Sequence, residues 1–310
     1  MKRLIRSGFA IRALQAETTK VNKIALKMEV NAFSPRIPAD VFEKFENLRR
    51  ALATRLPEGL IVAFSGGVDS AFLLWAAEQV RRQSGGRLLA LTAVSESMAQ
   101  VEKDDAKRFA QGLQVEHVWQ TSHETSNPQY IANDESRCYH CKAELFKIAR
   151  DAALEGKYRW LAYGYNASDR GDVRPGHQAA LEYEVLSPLA EAELAKEDIR
   201  ILMRAHQLEL AEKPASPCLS SRLMRGVAVS AEKLKDVEEL EALLRDRGLR
   251  IFRVRLHEEG AQRFLRLEVA PDELEKALEL RDDFVLEGRS RGYKWVTLDL
   301  AGYRMGGGAV

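Results

Sequence analysis

Short apolar runs alternate with stretches of helical periodicity over the first two thirds of the chain. The nearly continuous apolar runs predict strands buried on both faces, at residues 60–64, 88–94, 115–121 and 160–165. A shorter run at residues 185–189 suggests a fifth strand. Helices are expected around these strands, at residues 41–56, 70–82, 98–112, 141–156 and 197–208. This alternation predicts an α/β fold with a parallel sheet and helices on both of its faces.

The pattern changes after an irregular stretch at residues 212–226. Beyond it, two predicted strands alternate apolar with charged residues, which is typical of a sheet with one exposed face. The elements expected here are helices at 231–248 and 271–280 and strands at 252–256, 264–269 and 294–300. We therefore expect an α/β domain over residues 36–212. A smaller α+β domain, with the cysteine-bearing connection, is expected over residues 213–310.

Composition narrows the classes of function. The chain has 310 residues, of which 45% are hydrophobic and 30% are charged, as in an ordinary globular protein. The formal net charge of +1 provides no overall attraction to nucleic acid or to a membrane surface. Three cysteines are too few for a disulfide framework, so we expect a reducing, cytoplasmic setting. No apolar run reaches the roughly 18 residues of a membrane span.

Residues 1–35 differ in charge from the rest of the chain. Seven lysines and arginines stand there against two acids. A basic, acid-poor segment can be a transit peptide, but this one lacks the apolar core and cleavage pattern of a secretory signal. We expect a disordered basic extension, or a misplaced start with Met28 as the true first residue.

The loop at residues 65–70 carries the most specific chemistry. Its sequence, Ser-Gly-Gly-Val-Asp-Ser, lies between a predicted strand and a predicted helix. Free backbone N–H groups and the helix dipole at such a helix start bind anions, above all phosphate. Gly66 and Gly67 permit positive φ and a close approach of the ligand, and Ser65 and Ser70 add hydroxyl donors. A glycine-rich turn without function is the alternative.

The three cysteines fall in two motifs. Cys138 and Cys141 form a C-x-x-C pair at the start of a predicted helix, where the helix N-terminus favours the thiolate. Cys218 lies in the irregular stretch. The three could hold a [4Fe–4S] cluster with one open iron, or zinc with His140 as a fourth ligand. Unconnected thiols are the alternative, because the sequence does not establish that Cys218 meets the other two.

These motifs resemble those of a known family. The loop at residues 65–70 resembles the pyrophosphate loop (PP-loop) of the ATP-pyrophosphatase superfamily, which cleaves ATP between the α and β phosphates. The whole set, from about residue 42 to near the C-terminus, resembles the LarE family of ATP-dependent sulfur transferases in nickel-pincer cofactor synthesis. The further motifs that carry the resemblance are residues 137–142, 164–169, 171–176, 187–189, 217–222 and 293–300.

The resemblance implies a PP-loop ATP pyrophosphatase domain and a specific reaction. ATP, with Mg²⁺, would adenylate a carboxylate of pyridinium-3,5-biscarboxylic acid mononucleotide, and sulfur would then displace AMP. In one branch of the family a single cysteine, matching Cys218, gives up its own sulfur and becomes dehydroalanine. In the other, three cysteines hold a [4Fe–4S] cluster that carries an extra sulfide. The presence of Cys138, Cys141 and Cys218 favours the cluster. The family also implies a homo-oligomer, such as a hexamer.

Other side chains are candidates for this site. We expect Asp69 to help organise Mg²⁺ and pyrophosphate, with a helix N-cap as the alternative. The candidate phosphate contacts are Arg174, Arg222, Arg253, Arg255 and Arg304. A surface ion pair or a solvated strand face is the alternative for each of them. We interpret His177 and His206 as structural.

Two other functions fit parts of the pattern. A tRNA thiolase would share the loop, the cysteines and the adenylation, but the near-neutral charge and the lack of a basic RNA-binding segment disfavour it. A nucleotide-binding sensor without catalysis would bind ATP without releasing pyrophosphate. Such a sensor would have no use for the three cysteines.

Overall fold

The computed structural model of the protein describes residues 37–171, 175–214 and 216–304. The expectation for residues 1–35 therefore falls outside the described residues, and so does the candidate Arg174. Four parallel strands form the first sheet in the order β3-β2-β1-β4. They are β1 (Leu60–Ala63), β2 (Leu88–Val94), β3 (His117–Thr121) and β4 (Trp160–Tyr163). The predicted parallel α/β fold is confirmed.

Helices cover both faces of this sheet. They are α1 (Ala39–Arg55), α2 (Val68–Ser84), α3 (Gln100–Leu113), α4 (Pro128–Ile131), α5 (Arg137–Gly156), α6 (Pro175–Glu182), α7 (Pro188–Glu191) and α8 (Lys196–Ala205). Leu60 and Val62 of β1 pack in one core cluster with α1, α2 and α8, whereas Ile61 and Ala63 pack in another with α5 and α6. Both faces of β1 are buried, and for that reason its sequence is continuously apolar.

The expected fifth strand at residues 185–189 is wrong. Leu186 makes only an isolated bridge to Ala162, and Pro188 begins the short helix α7. Proline has no N–H to donate to a strand ladder, and its fixed φ suits a first helical turn. Within the described residues the sheet therefore ends at β4.

A second, three-stranded sheet follows, in the order β5-β6-β7. Its strands are β5 (Phe252–Glu259), β6 (Gln262–Val269) and β7 (Trp295–Leu298), and the helices beside it are α9 (Ala231–Asp246), α10 (Leu274–Glu279) and α11 (Arg281–Ser290). Val237 and Leu240 of α9 pack with Val254 and Leu267 of the sheet in a core of their own. This confirms a small additional α+β unit, while its boundary at residue 213 stays a prediction.

The other face of β5 and β6, which we expected to be exposed, is partly covered. Arg255 and Glu268 on this face are only 5% and 2% exposed, and they pair at 3.0 Å. Arg255 also donates to the carbonyl oxygen of Ser221 at 2.9 Å. The segment that follows Cys218 therefore lies against this polar face. In the part of the chain that the structure describes, no helix has the length and apolar character needed to cross a membrane.

Candidate functional site

A cavity of about 710 Å³ opens beyond the carboxyl ends of β1, β2 and β4. Ligands of open α/β sheets bind at this edge. On one side lies what we call the nucleotide wall, formed by residues of the loop 65–70 with Lys196, Arg200 and Lys213. On the other lies the cysteine wall, formed by Arg137, Cys138, Cys141 and Cys218.

The loop at residues 65–70 is closed by its own serines. The Ser70 hydroxyl donates to the carbonyl oxygen of Gly67 at 3.0 Å and lies 3.2 Å from the Ser65 hydroxyl. The Ser65 hydroxyl accepts from the N–H of Gly67 at 3.4 Å. Helix α2 begins at Val68, and its first residues line the cavity. The unpaired N–H groups of this helix start are therefore at the cavity wall.

Two glycines leave no room for a side chain around the loop. Gly66 has a φ of +74°, and a Cβ there would lie 3.0 Å from the Cβ of Ala106 in α3. Gly164, just after β4, comes so close that a Cβ would lie 2.6 Å from the backbone nitrogen of Ser70. Gly66 must be glycine, since L side chains rarely adopt its φ. Gly164 must be glycine, since the backbone of Ser70 blocks the space that a Cβ would need. Gly66 itself supports the loop but does not line the cavity.

Asp69, on the first turn of α2, has a carboxylate oxygen without a partner. Its Oδ1 is buried and accepts no hydrogen bond from any residue that the structure describes. Burial raises the pKa of Asp69, while the nearby positive charge of Lys196 lowers it. Gly67, not Asp69, is the N-cap residue, so the alternative role as a helix cap is wrong. A buried carboxylate oxygen beside a phosphate loop suits a hard cation such as Mg²⁺.

Lys213 ties the loop to helix α3. Its ammonium group donates to the carbonyl oxygen of Gly66 at 3.1 Å and pairs with Glu102 at 2.6 Å and Asp105 at 2.8 Å. These contacts connect the backbone of Gly66 to two carboxylates of α3. Lys213 was not among the predicted site residues, because no motif marks a lysine that follows the loop by more than 140 positions.

Arg200 and Lys196 also line the nucleotide wall and were also missed. Arg200 donates to the carbonyl oxygens of Ala211 at 2.6 Å and Lys213 at 2.9 Å. It thereby fixes the segment that leads toward Cys218. Lys196 is half-buried at the start of α8. The amphipathic pattern of α8 does not predict that Lys196 and Arg200 line a cavity, since charged residues on such a helix usually face solvent.

All three cysteines line the same cavity. Helix α5 begins at Arg137, four residues earlier than expected, so Cys138 and Cys141 lie on its first two turns. Burial raises the pKa of the Cys141 thiol to about 12. The expectation that the helix N-terminus favours the thiolate is therefore wrong for Cys141. Cys138 and Cys218 are exposed.

The cysteine wall has the right donor chemistry for a metal centre, since thiolates are the usual ligands of zinc and of iron–sulfur clusters. Among the residues that the structure describes, however, no three His, Cys, Asp or Glu side chains come together as ligands. His140 does not line the cavity, and its Nε2 lies 3.1 Å from the Ser136 hydroxyl. The zinc site with His140 is therefore not formed. The three cysteines share a cavity without being at coordinating distance.

Arg137 connects the two cysteine-bearing segments. Its guanidinium group donates to Asn133 Oδ1 at 2.5 Å and to the carbonyl oxygen of Ser220 at 2.7 Å. It also lies 4.0 Å from the sulfur of Cys138. Since Ser220 follows Cys218 by two residues, one cation contacts both parts of the wall.

A buried carboxylate completes the lining near Cys141. Glu124 is 3% exposed, and its charge contributes to raising the pKa of Cys141, after the larger effect of burial. It accepts hydrogen bonds from Ser97 at 2.9 Å and from Ser95 and Ser122. These serines follow β2 and β3, so the network fixes both loops at the carboxyl edge of the sheet. Sequence analysis missed Glu124, because a single glutamate in a loop carries no signal.

Two of the predicted arginines line the cavity. Arg255 does so while paired with Glu268 at 3.0 Å. Arg253 lies beside it, with its guanidinium carbon 5.2 Å from the centre of the Tyr303 ring. A role of either arginine in holding a phosphate stays a prediction.

Of the other predicted arginines, Arg222 and Arg304 do not line the cavity. Arg222 is 3% exposed and pairs with Glu241 through two contacts of 3.0 Å. Its charge is already neutralised inside the second core, so we no longer assign it to a phosphate. Arg304 is exposed beyond β7 and is absent from the lining.

The two histidines interpreted as structural lie outside the cavity lining. His177 Nδ1 lies 2.7 Å from the Tyr163 hydroxyl, and its ring stacks on Tyr165 at 4.1 Å. His206 packs on Trp75, with ring centres 4.5 Å apart. These contacts agree with a packing role.

Comparison with known proteins supplies relatives over most of the chain, although no family model matches it. An uncharacterised protein of Synechocystis sp. is 37% identical over 265 residues, covering 85% of this chain and 96% of that protein. An uncharacterised protein of Methanocaldococcus jannaschii is 28% identical over 262 residues, covering 84% and 93%.

A third relative has a named activity. The pyridinium-3,5-bisthiocarboxylic acid mononucleotide synthase of Lactiplantibacillus plantarum is 31% identical over 245 residues, covering 79% of this chain and 87% of that protein. The match covers most of both chains rather than one motif. The chain therefore belongs to the LarE family, the family of this synthase.

Proposed function

We propose that the protein is an ATP-dependent sulfur transferase that converts the carboxylates of pyridinium-3,5-biscarboxylic acid mononucleotide into thiocarboxylates during nickel-pincer cofactor synthesis. The observation that carries this proposal is that the phosphate loop and all three cysteines line one cavity. The Lactiplantibacillus relative supports the choice of substrate, because its name is that of a synthase of the bisthiocarboxylic acid. Adenylation followed by sulfur transfer requires that both the ATP held at the loop and the sulfur held at the cysteines reach the same carboxylate.

The first step makes the carboxylate an acyl donor. A carboxylate oxygen attacks the α-phosphorus of ATP, the bond from this phosphorus to the bridging oxygen breaks, and pyrophosphate leaves with the electron pair. The helix start at Val68, within the loop at residues 65–70, holds the polyphosphate through backbone N–H groups. Asp69 would hold Mg²⁺ through its unpartnered Oδ1, and this ion would offset the negative charge on pyrophosphate.

The second step transfers sulfur. A sulfur nucleophile attacks the acyl carbon, the bond to the phosphate oxygen of AMP breaks, and AMP leaves with the electron pair. If Cys218 donates its own sulfur, its thiolate first forms a thioester. A base then removes the Cα proton, the Cβ–Sγ bond breaks, and dehydroalanine and the thiocarboxylate result without any oxidant. The exposed position of Cys218 on the cavity wall suits attack on a bound substrate.

We favour a replaceable sulfur source over a sacrificial one. A [4Fe–4S] cluster held by Cys138, Cys141 and Cys218 would supply sulfide that inorganic sulfide can restore after each turnover. The shared cavity supports this assignment, and the absence of a ligand group among the described residues means that the wall must contract to bind it.

One anaerobic reaction tests the proposed function. The protein is incubated with ATP, Mg²⁺ and the biscarboxylate mononucleotide, and pyrophosphate, AMP and product mass are measured. We expect each converted carboxylate to gain the mass difference between sulfur and oxygen, with one pyrophosphate released. Stimulation of pyrophosphate release by tRNA but not by the mononucleotide would identify a tRNA thiolase instead. ATP binding without pyrophosphate release under either condition would identify a sensor.

A second measurement separates the two sulfur sources. Anaerobically purified protein is assayed for iron and labile sulfide, and Cys218 is followed by peptide mass before and after turnover. We expect iron and sulfide to be present and Cys218 to be unchanged. Iron-free protein that loses the mass of hydrogen sulfide at Cys218 would overturn the cluster and leave the sulfur transfer intact. The homo-oligomer, the cytoplasmic location and the lack of a nucleic acid partner stay predictions from the sequence.

A further inference from the structure

The cations that line the cavity differ in what already neutralises them. Lys213 pairs with two carboxylates, and Arg200 donates to two backbone carbonyls. Lys196 differs from both, because its ammonium group makes no hydrogen bond or ion pair with any part of the described chain. A half-buried charge without a partner costs free energy unless a ligand compensates it.

The position of Lys196 is nevertheless well determined. Its backbone N–H donates to the Ser168 hydroxyl at 3.1 Å. One residue earlier, the N–H of Ala195 donates to the carboxylate of Asp198 at 2.9 Å, which caps the start of α8. These two bonds fix the backbone from which the lysine side chain extends. Lys196 therefore lines the cavity from a fixed backbone position.

Lys196 and Asp69 of the loop at residues 65–70 both line the cavity and interact electrostatically. Among charged neighbours, Lys196 has the largest effect on the pKa of Asp69. Asp69 itself has the buried, unpartnered Oδ1 on the first turn of α2. The Lys196 ammonium group and the Asp69 Oδ1, neither of which has a partner among the described residues, thus lie near each other at the start of α2 without forming an ion pair. A bound anion together with a metal ion would satisfy both.

Resting on the proposed function, we propose that Lys196 binds the β- and γ-phosphates of ATP and holds the pyrophosphate product, together with the backbone N–H groups at the start of α2. Lysine acts as a point charge toward phosphate, and its bond to an anionic oxygen is stronger than one between neutral groups. The α-phosphate and the adenosine lie outside this contact. Lys196 should therefore distinguish ATP and pyrophosphate from AMP.

Binding measurements on Lys196→Met test the assignment directly. Affinities for Mg·ATP, Mg·pyrophosphate and AMP are measured by calorimetry on the full chain. We expect the Kd of ATP and of pyrophosphate to rise about 10- to 100-fold, the usual effect of losing a charged hydrogen bond. The Kd of AMP should change by less than about twofold. Lys196→Arg should recover most of the loss, since it keeps the charge.

The matched control is Lys235→Met on α9. It removes the same charge from an exposed lysine that pairs with Glu239 at 3.8 Å, away from the cavity. We expect all three affinities to stay at their wild-type values. Unchanged ATP and pyrophosphate binding in Lys196→Met would overturn the assignment, and so would an equal loss of ATP and AMP binding.

Thermal unfolding distinguishes a ligand-binding role of Lys196 from a structural one, because the two roles predict opposite changes in the Tm of Lys196→Met. Because Lys196 is unpaired, Lys196→Met should keep or raise the Tm of the free protein and lose part of its stabilisation by ATP. A large drop in the Tm of the free protein would mark a structural lysine and overturn the proposal. Wild-type protein that binds ATP through Lys196 without forming thiocarboxylate would contradict the proposed function alone.

Discussion

The nucleotide wall and the cysteine wall are built by different kinds of contact. The loop in the first is closed by bonds between residues that are two to five positions apart. The second is joined by Arg137, whose bond to Ser220 spans 83 positions. A loop closed by local bonds can be recognised from a short motif. A wall assembled from distant segments becomes visible only when the chain is folded.

Because the two walls are held by different contacts, we expect that substitutions can separate adenylation from sulfur transfer. Changes at the nucleotide wall should reduce pyrophosphate release and therefore everything after it. Changes at the cysteine wall should reduce sulfur transfer alone. Substitutions in each wall, with matched controls, test this division.

Cys218→Ala should have the largest effect. It removes a sulfur that both proposed sources need, so thiocarboxylate formation should fall by at least about a thousandfold. Pyrophosphate release in a single turnover should persist, because the phosphate loop is untouched. Product mass and pyrophosphate are measured in the same sample. Thiocarboxylate formed at the wild-type rate would remove Cys218 from the mechanism.

Gly164→Ala should damage the nucleotide wall. The new Cβ would lie 2.6 Å from the Ser70 nitrogen and 3.0 Å from the backbone carbon of Asp69, so the loop must shift. We expect a destabilisation of about 1–3 kcal/mol and a loss of pyrophosphate release. Urea unfolding and a pyrophosphate assay measure both.

The matched control is Gly112→Ala in α3, where a Cβ meets nothing within 4 Å. This substitution should stabilise the protein by up to about 1 kcal/mol, because alanine favours the helix, and should leave activity unchanged. Equal effects of the two glycine variants would contradict the close approach of Gly164 to the loop.

Arg137→Gln should loosen the cysteine wall only. It removes the bonds to Asn133 and to the Ser220 carbonyl, so sulfur transfer should fall about 10- to 100-fold while pyrophosphate release changes little. The control on the same helix is Arg150→Gln, which loses an exposed pair with Glu184. That control should change stability by less than about 1 kcal/mol. An equal decline of both half-reactions in Arg137→Gln would mean that the walls are not independent.

His117→Gln should have the smallest effect, on the pH dependence of stability. The Thr92 hydroxyl donates to the carbonyl oxygen of Phe64 at 2.6 Å and lies 2.8 Å from His117 Nε2, just before the loop. Burial lowers the pKa of His117 to about 4. In the unfolded chain His117 takes up a proton near pH 6.5. The contribution of neutral His117 to the free energy of unfolding is therefore full above that pH and is lost as the pH falls toward about 4.

Urea unfolding at pH 7 and at pH 4.5 measures this contribution. From pH 7 to pH 4.5, the free energy of unfolding of the variant should fall by about 1–2 kcal/mol less than that of the wild type. Other buried histidines, such as His257, titrate in both proteins and cancel in the difference. Identical pH dependence in the two proteins would show that His117 is not held neutral by the fold.

Elements that are buried on both faces were predictable from the sequence. Strand β2 was expected at residues 88–94 and is found at Leu88–Val94, because a short, continuous apolar run bounded by glycines and polar residues is typical of a strand buried on both faces. Helix α11 was missed. Only Phe284 and Gly288 of its ten residues are buried, so its apolar pattern is too sparse to detect.

The candidate site was predictable only in its motifs. The loop at residues 65–70 and the three cysteines are recognisable from residue types at fixed spacing. Lys196, Lys213 and Glu124 are not, because each gains its place from residues that are far away in the chain. The arginines illustrate the opposite error. Arg222 has the residue type for a phosphate contact, but packing pairs it with Glu241.

By itself, the sequence determined the parallel sheet, the glycine-rich loop at residues 65–70 and the presence of three thiols. Periodicity and local hydrogen bonds, which depend on neighbouring residues, encode these features. Only the tertiary structure decided that the loop and the thiols line one cavity, that Arg222 is neutralised, and that Lys196 lacks a partner within the described chain. The reason is physical. The partner of a charge is the side chain that packing brings near it, and packing joins residues that no local pattern relates.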